Sequence, residues 1–205
     1  MIPVVLQQFA RVPAVGEVKT RLQIVLSADE ACAVHVELTR ATTQQLVCSD
    51  LGPVELWLDR ADFAGTQAEK LLTDGVEGPL LQEGADLGER MYRALARGLE
   101  RAEKVLLTGS DCPGLDRRYL QQALEALDHV NVVLGPAEDG GFVLVACREQ
   151  HPQMFDGVVW GSGEVLMQTT AALDAVGLRY ALLDRRYDVD RPEDLARWRK
   201  ESSQA

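Results

Sequence analysis

The chain is short of the residues that build disulfides and zinc clusters. Its four cysteines, Cys32, Cys48, Cys112 and Cys147, are scattered without a C-x-x-C pair, and its three histidines, His35, His129 and His151, form no motif. Reduced thiols in a cytoplasmic protein are the expectation. Basic residues are also scarce. Lys and Arg total 21 against 32 Asp and Glu, a net charge of −11, which opposes general binding to nucleic acid or an anionic membrane, because both need a basic face. No apolar run reaches the ~18 residues of a membrane span. The strand-like start of the chain carries neither a basic leader nor a cleavage signal. Internal repeats, low-complexity tracts and linkers are missing as well, so residues 1–205 are expected to form a single domain with a sizeable core.

What is present is an alternation of short apolar runs and amphipathic stretches. The central run, Lys104 to Thr108, passes directly into Gly109-Ser110-Asp111-Cys112-Pro113-Gly114, and Asp116 opens an amphipathic stretch behind it. Such a run bounded by turn residues fits a buried parallel strand, whose carboxyl end is where open α/β sheets bind ligands. Further strands are predicted at Ile2–Phe9, Val54–Leu58, Pro79–Gln82, Asn131–Gly135, Phe142–Ala146 and Tyr180–Leu183. Helices are predicted behind the Ser27/Glu30 capping box to about Val47, weakly over Phe63–Leu72, and from Asp86 through a Leu87, Met91, Leu95, Leu99, Ala102 stripe. Three more follow: one with Leu120, Leu124 and Leu127, one over Val165–Val176, and a short one ending near Trp198 before a frayed polar tail, Glu201–Ala205. Strand–helix alternation argues an α/β protein with a mostly parallel sheet, and the crowding of strands around residues 131–146 adds an antiparallel element.

Four stretches can carry chemistry. After the first strand, Arg11, Lys19 and Arg21 surround Pro13 and Gly16 in a loop that leads to a helix start, a setting that suits phosphate oxygens. It lacks the glycine spacing of a Walker A or Rossmann loop, and a solvated basic loop is the bland alternative. Both Lys19 and Arg21 are expected to be exposed there. In Gln82-Glu83-Gly84-Ala85-Asp86-Leu87-Gly88-Glu89-Arg90, Asp86 is a good N-cap, while Gly88 in the first turn costs roughly 1 kcal/mol against alanine and would let a flat base or sugar approach. Asp139-Gly140-Gly141 is either a hairpin turn or an acceptor-facing turn delivered to the ligand edge. Asp188-Val189-Asp190 places two carboxylates on one side of an extended stretch, where they can share a hard cation with Asp111; alternatively, Asp190 with Glu193 caps the last helix.

These residues resemble a known family. Phe9 to Leu22 is similar to F-A-K-x-P-x-P-G-x-V-K-T-R-L, Ala85 to Met91 to G-D-L-G-E-R-M, and Gly109 to Leu115 matches G-S-D-C-P-G-L. Gly135 to Phe142 resembles G-P-A-x-D-G-G-Y, and Asp188 to Leu195 resembles D-V-D-T-P-E-D-L. The family is the bacterial glycosyltransferase-A-like group of radical-SAM/selenodomain-associated transferases, a domain of unknown function. It is related to the nucleotide-diphospho-sugar transferases and to 2-phospho-L-lactate guanylyltransferase. The resemblance implies a three-layer GT-A-like fold that binds a nucleotide or nucleotide-sugar and transfers a glycosyl or nucleotidyl group to a small acceptor. It further implies nucleotide contacts from Ala10, Arg11, Gly16, Lys19, Arg21, Asp86, Gly88, Ser110 and Asp111, and acceptor or sugar contacts from Asp139, Gly140 and Gly141. Mg²⁺ or Mn²⁺ would sit on Asp111, Asp188 and Asp190, and Lys19, Arg21, Asp111 and Asp139 would carry catalysis. A nucleotide-binding module without catalysis is the alternative. The chain departs from the pattern at Arg11 (usually lysine), at Ala14-Val15 (where a second proline is usual) and at Gly161-Ser162-Gly163 (where S-T-P is usual).

Overall fold

The computed structural model describes residues 1–62, 66–71 and 73–203. Seven strands, β1 (Ile2–Ala10), β2 (Val54–Leu58), β3 (Val76–Leu81), β4 (Ala102–Thr108), β5 (Val132–Pro136), β6 (Phe142–Cys147) and β7 (Tyr180–Leu182), form one sheet in the order β3-β2-β1-β4-β6-β5-β7. β1, β2, β3 and β4 pair in parallel, as do β5 and β7. β6 runs antiparallel to both of its neighbours. This is the mixed, mostly parallel sheet expected, with the reversal where the strands crowd together in sequence.

Helices cover both faces: α1 (Ala28–Ser49), α2 (Leu87–Leu99), α3 (Arg117–Ala126) and α4 (Val165–Ala175), with α5 (Pro192–Ser202) packed at the end of α1. Alternation along β4 explains how. Leu106 joins Leu46 of α1 and Leu120 of α3, while Val105 and Leu107 join Leu95 of α2 and Leu173 of α4. A strand buried on both faces reads as an unbroken apolar run, which is why β4 was visible in the sequence.

Boundaries differ in places. Ala102 opens β4 instead of closing the α2 stripe, and Leu87 is exposed. β3 starts three residues earlier than expected, and α5 runs on to Ser202. Of the weak helix expected over Phe63–Leu72, positions 63–65 and 72 lie outside the described residues, and Ala68–Leu71 form a single 3₁₀ turn. Positions 204 and 205 of the tail also lie outside them. Among the described residues no helix is long and apolar enough to cross a membrane, and all four cysteines are free thiols.

Candidate functional site

The strand directions bring four loops to one edge. β1 and β4 lie side by side with Gln8 opposite Thr108, so residues 11–19 and 109–115 leave the sheet together. Because β6 is reversed, the turn from Pro136 to Phe142 falls on the same edge, as does the exit of β7 towards Asp188 and Asp190.

The first loop is anchored by buried Val12 and Val18. Val12 N–H donates to Asp59 Oδ1 (2.7 Å), and the Arg11 guanidinium lies 3.7 Å from the other oxygen of that carboxylate. Lys19 then turns into the left-handed region (φ 48°, ψ 40°), which costs a non-glycine residue roughly 1–2 kcal/mol. The side chain offsets this cost: Nζ donates to Val189 O (2.6 Å) and pairs with Asp111 Oδ2 (2.8 Å). Lys19 is therefore buried, against expectation, because the two segments that follow β4 and β7 close over it. Arg21 is exposed as expected and is paired with Asp190.

Ser110 secures the exit of β4. Its hydroxyl donates to Phe9 O (2.8 Å) and accepts from Gln8 Nε2 (3.0 Å), so it braces the two strand ends. Beside it the main-chain carbonyl of Asp111 accepts from Val189 N–H (2.8 Å), and Asp111 Oδ1 is buried with no hydrogen-bond partner among the described residues. The cap expected from Asp190 and Glu193 is shifted. Asp194 accepts from the N–H groups of Asp190 and Arg191 (3.2 and 2.8 Å), because Pro192 sets the start of α5 one residue later. The Asp190 carboxylate is thus left to Arg21.

These residues line a cleft of about 560 Å³ that gathers Ala10, Arg11, Lys19, Arg21, Ser110, Asp111 and Asp190. Its walls also hold His35 and Asp59, which sequence reasoning did not single out, and Gln82 and Arg90, the two ends of the stretch around Asp86 and Gly88. His35 had a signal: it is the one residue with an ordinary pKa near neutrality among the buried positions of α1, beside Ala31, Val34 and Leu38. Its Nε2 lies 2.9 Å from Arg11 O, and burial lowers its pKa against the pull of Asp111, keeping the ring neutral. Gln82 Nε2 donates to Ala10 O and Trp57 O (3.0 and 2.9 Å), tying together the ends of β1 and β2.

A second hollow of about 500 Å³ adjoins the cleft at Arg21 and Asp190 and adds Asp139 and Asp188. Burial raises the Asp188 carboxyl to about 6, helped by the charges of Asp139, Asp111 and Asp190. The Asp139 turn is tight. Asp139 Oδ1 accepts from Gly141 N–H (2.9 Å), and a β-carbon on Gly140 would collide with the carbonyl of Gly163. Cys112, by contrast, is buried with its thiol pushed up to about 12, so it is no nucleophile.

Three expected contacts are placed elsewhere. Gly16 is exposed on the loop and is not among the residues that line the cleft. Asp86 spends its carboxylate on the cap of α2, accepting from Glu89 N–H (2.9 Å). The room left by Gly88 is filled by protein: a β-carbon there would stand 2.9 Å from the Trp160 ring and 3.1 Å from Phe155. Its missing side chain serves packing, and its neighbours Leu87 and Arg90 are the ones that reach the cleft.

Residues 42–162 match a family model described as an uncharacterised protein conserved in bacteria, DUF2064. The chain belongs to that family. This DUF2064 member is 31% identical to a protein of Desulfovibrio desulfuricans G20 provisionally assigned as a nucleotide-diphospho-sugar transferase. That match covers 95% of this chain and 85% of the other, with a TM-score of 0.84. The fold alone is shared with CMP:2-keto-3-deoxy-manno-octonic acid synthetase in complex with CTP (13% identity, 98% and 99% covered, TM-score 0.63). It is likewise shared with Rv0371c of Mycobacterium tuberculosis H37Rv in complex with manganese (18% identity, 96% and 97% covered, TM-score 0.53). No match is found among the curated proteins. The GT-A-like fold class and the relationship to nucleotide-diphospho-sugar transferases are therefore shown.

Proposed function

We propose that this DUF2064 protein is a metal-dependent transferase that binds a nucleoside triphosphate or a nucleotide-sugar in the cleft and passes a nucleotidyl or glycosyl group to a small acceptor. The observation that carries this reading is the pairing of two cations with two carboxylates across the cleft, Lys19 with Asp111 and Arg21 with Asp190. In an acidic protein, such pairs keep positive charge beside the place where phosphates would bind and carboxylates beside the place where a cation would. The folds of a CTP-bound synthetase and a manganese-bound protein support the same reading.

The residues suit a hard divalent cation. Asp111 Oδ1 is buried and without a hydrogen-bond partner among the described residues, and Asp188 is held among three other carboxylates. Among the described residues, however, no three such side chains converge on a common point. Phosphate oxygens of the nucleotide would have to complete the set, which suits Mg²⁺ or Mn²⁺. When bound, such an ion neutralises phosphate charge as a Lewis acid.

The chain's own residues have distinct tasks. As the nucleotide enters, Lys19 and Arg21 exchange their carboxylate partners for phosphate oxygens, each contact being worth about 1.5–3 kcal/mol. Arg90, whose side chain among the described residues donates only to Gly84 O, adds a fourth cation at the cleft beside Arg11, Lys19 and Arg21. Asp139 keeps one oxygen on Gly141 N–H and has the other to receive the acceptor hydroxyl. Charge stabilisation at the phosphates is the main catalytic contribution.

Thermal-shift titration with nucleoside triphosphates and nucleotide-sugars, with and without Mn²⁺, tests the reading. A binder raises the midpoint as its concentration exceeds the dissociation constant, and the rise should require Mn²⁺. Product analysis then separates the two reactions, pyrophosphate marking nucleotidyl transfer and a free nucleoside diphosphate marking glycosyl transfer. A nucleotide that binds but yields neither product would make the protein a binding module, and the lack of any nucleotide shift would end the proposal.

A further inference from the structure

A third cavity, of about 230 Å³, borders both the cleft and the acidic hollow. It shares Phe9, Leu87 and Gly109 with the cleft, and Asp139, Gly161 and Ser162 with the hollow. Its remaining walls are apolar, led by Leu107, Phe142, Val165 and Trp160. Trp160 stands edge-on to Phe142 and Phe155, with ring centroids 6.2 and 5.9 Å apart, which fixes the shape of the wall.

Few polar side-chain groups face this space. The Ser162 hydroxyl donates to Val159 O (2.8 Å). Asp139 has one oxygen on Gly141 N–H, which leaves the other to accept. A sugar ring seated here would lose several water hydrogen bonds and find few side-chain partners to replace them, which disfavours it. An apolar ring suits the walls. An apolar cavity of about 150 Å³ already takes a benzene, so this one has room for a substituted ring or a short alkyl chain.

We propose that this cavity is the acceptor subsite, and that the second substrate is a hydroxyl compound carrying an apolar group of about one ring, its hydroxyl donating to Asp139. The assignment rests on the transferase reading for its role, since the cavity opens on both hollows through shared residues. Gly109 keeps the way between cavity and cleft clear: a β-carbon there would meet no atom within 4 Å, and its backbone is not of the kind that strains a side chain.

The test uses the full chain, without nucleotide, and follows 4-fluorobenzyl alcohol by ¹⁹F NMR. Saturable binding is expected that glucose at the same concentration does not displace. Gly109→Val should weaken it at least tenfold while leaving the melting midpoint close to the parent's. Asp139→Ala, an exposed change, should weaken 4-fluorobenzyl alcohol several-fold and leave 4-fluorotoluene, which has no hydroxyl, unaffected. Absence of saturable binding, displacement by glucose, or equal loss of both probes in Asp139→Ala would overturn the inference. Because no nucleotide is present, failure here is distinct from failure of the nucleotide titration. Probe binding together with a failed nucleotide titration would leave a ligand cavity and overturn its role as an acceptor site.

Discussion

Lys19 shows how much one buried contact changes what a substitution should do. As an exposed loop residue it would be replaceable at little cost. Buried between Asp111 and Val189 O, its ammonium depends on both partners. Asp111→Asn leaves that charge half-paired and should cost about 1–3 kcal/mol. Lys19→Met in the Asp111→Asn background should recover part of the loss, because the stranded charge is gone. Urea midpoints of the two single variants and the double measure this directly, and simple additivity would mean that the pair is not coupled in solution.

Asp188 makes a second residue-scale prediction. Its carboxyl is raised to about 6 from an ordinary 3.8, so between those values the folded chain holds a proton that the unfolded chain has lost. Stability contributed at this position therefore falls as pH rises through the window and stays low above it. Asp188→Asn removes the titrating group. Its melting midpoint should exceed the parent's at pH 7–8, and the difference should disappear below about pH 4. A constant offset across that range would place the penalty elsewhere.

At the scale of elements, α2 is held against the loop that carries Trp160 by the missing side chain of Gly88. Valine there would overpack the contact and should cost about 1–3 kcal/mol, more than any gain in helix propensity. A midpoint in urea that does not move would show that Trp160 is free to shift. The periodic elements were legible from the sequence for a simple reason. β1, β2 and β4 are buried on both faces and α2 on one, so their patterns report burial directly. Short edge elements were not: β3 is only partly buried, the Ala68–Leu71 turn is four residues long, and α5 was cut short because its last turn is polar.

For the whole molecule, the site was legible as a set of loops and not as a set of contacts. Sheet topology brings residues 11–21, 109–111, 137–141 and 188–190 to one edge, and the turn residues in each stretch marked them. Pairing across that edge left no trace in local pattern. Lys19 reaches Asp111, Arg21 reaches Asp190, and His35 reaches the carbonyl of Arg11, over separations that spacing cannot encode. The place of Gly88 under Trp160 was hidden for the same reason, as was the cavity beside Gly109.

Val189 is the point where the site's distant segments join. Its N–H is donated to Asp111 O, its carbonyl accepts from Lys19 Nζ, and its side chain is fully buried among residues of α1 and α5. The contact from Lys19 to Val189 closes a longer loop than any strand pairing of the sheet and so carries the largest loop-closure entropy among them. The cleft is therefore expected to close late in refolding, because Lys19 and Val189 are 170 residues apart: a chain can have regained its helices and the β1–β4 pairing while still lacking the enclosed cations and carboxylates. Competence to bind nucleotide, on the reading proposed above, then serves as a clock for the last step of folding rather than for the appearance of the sheet.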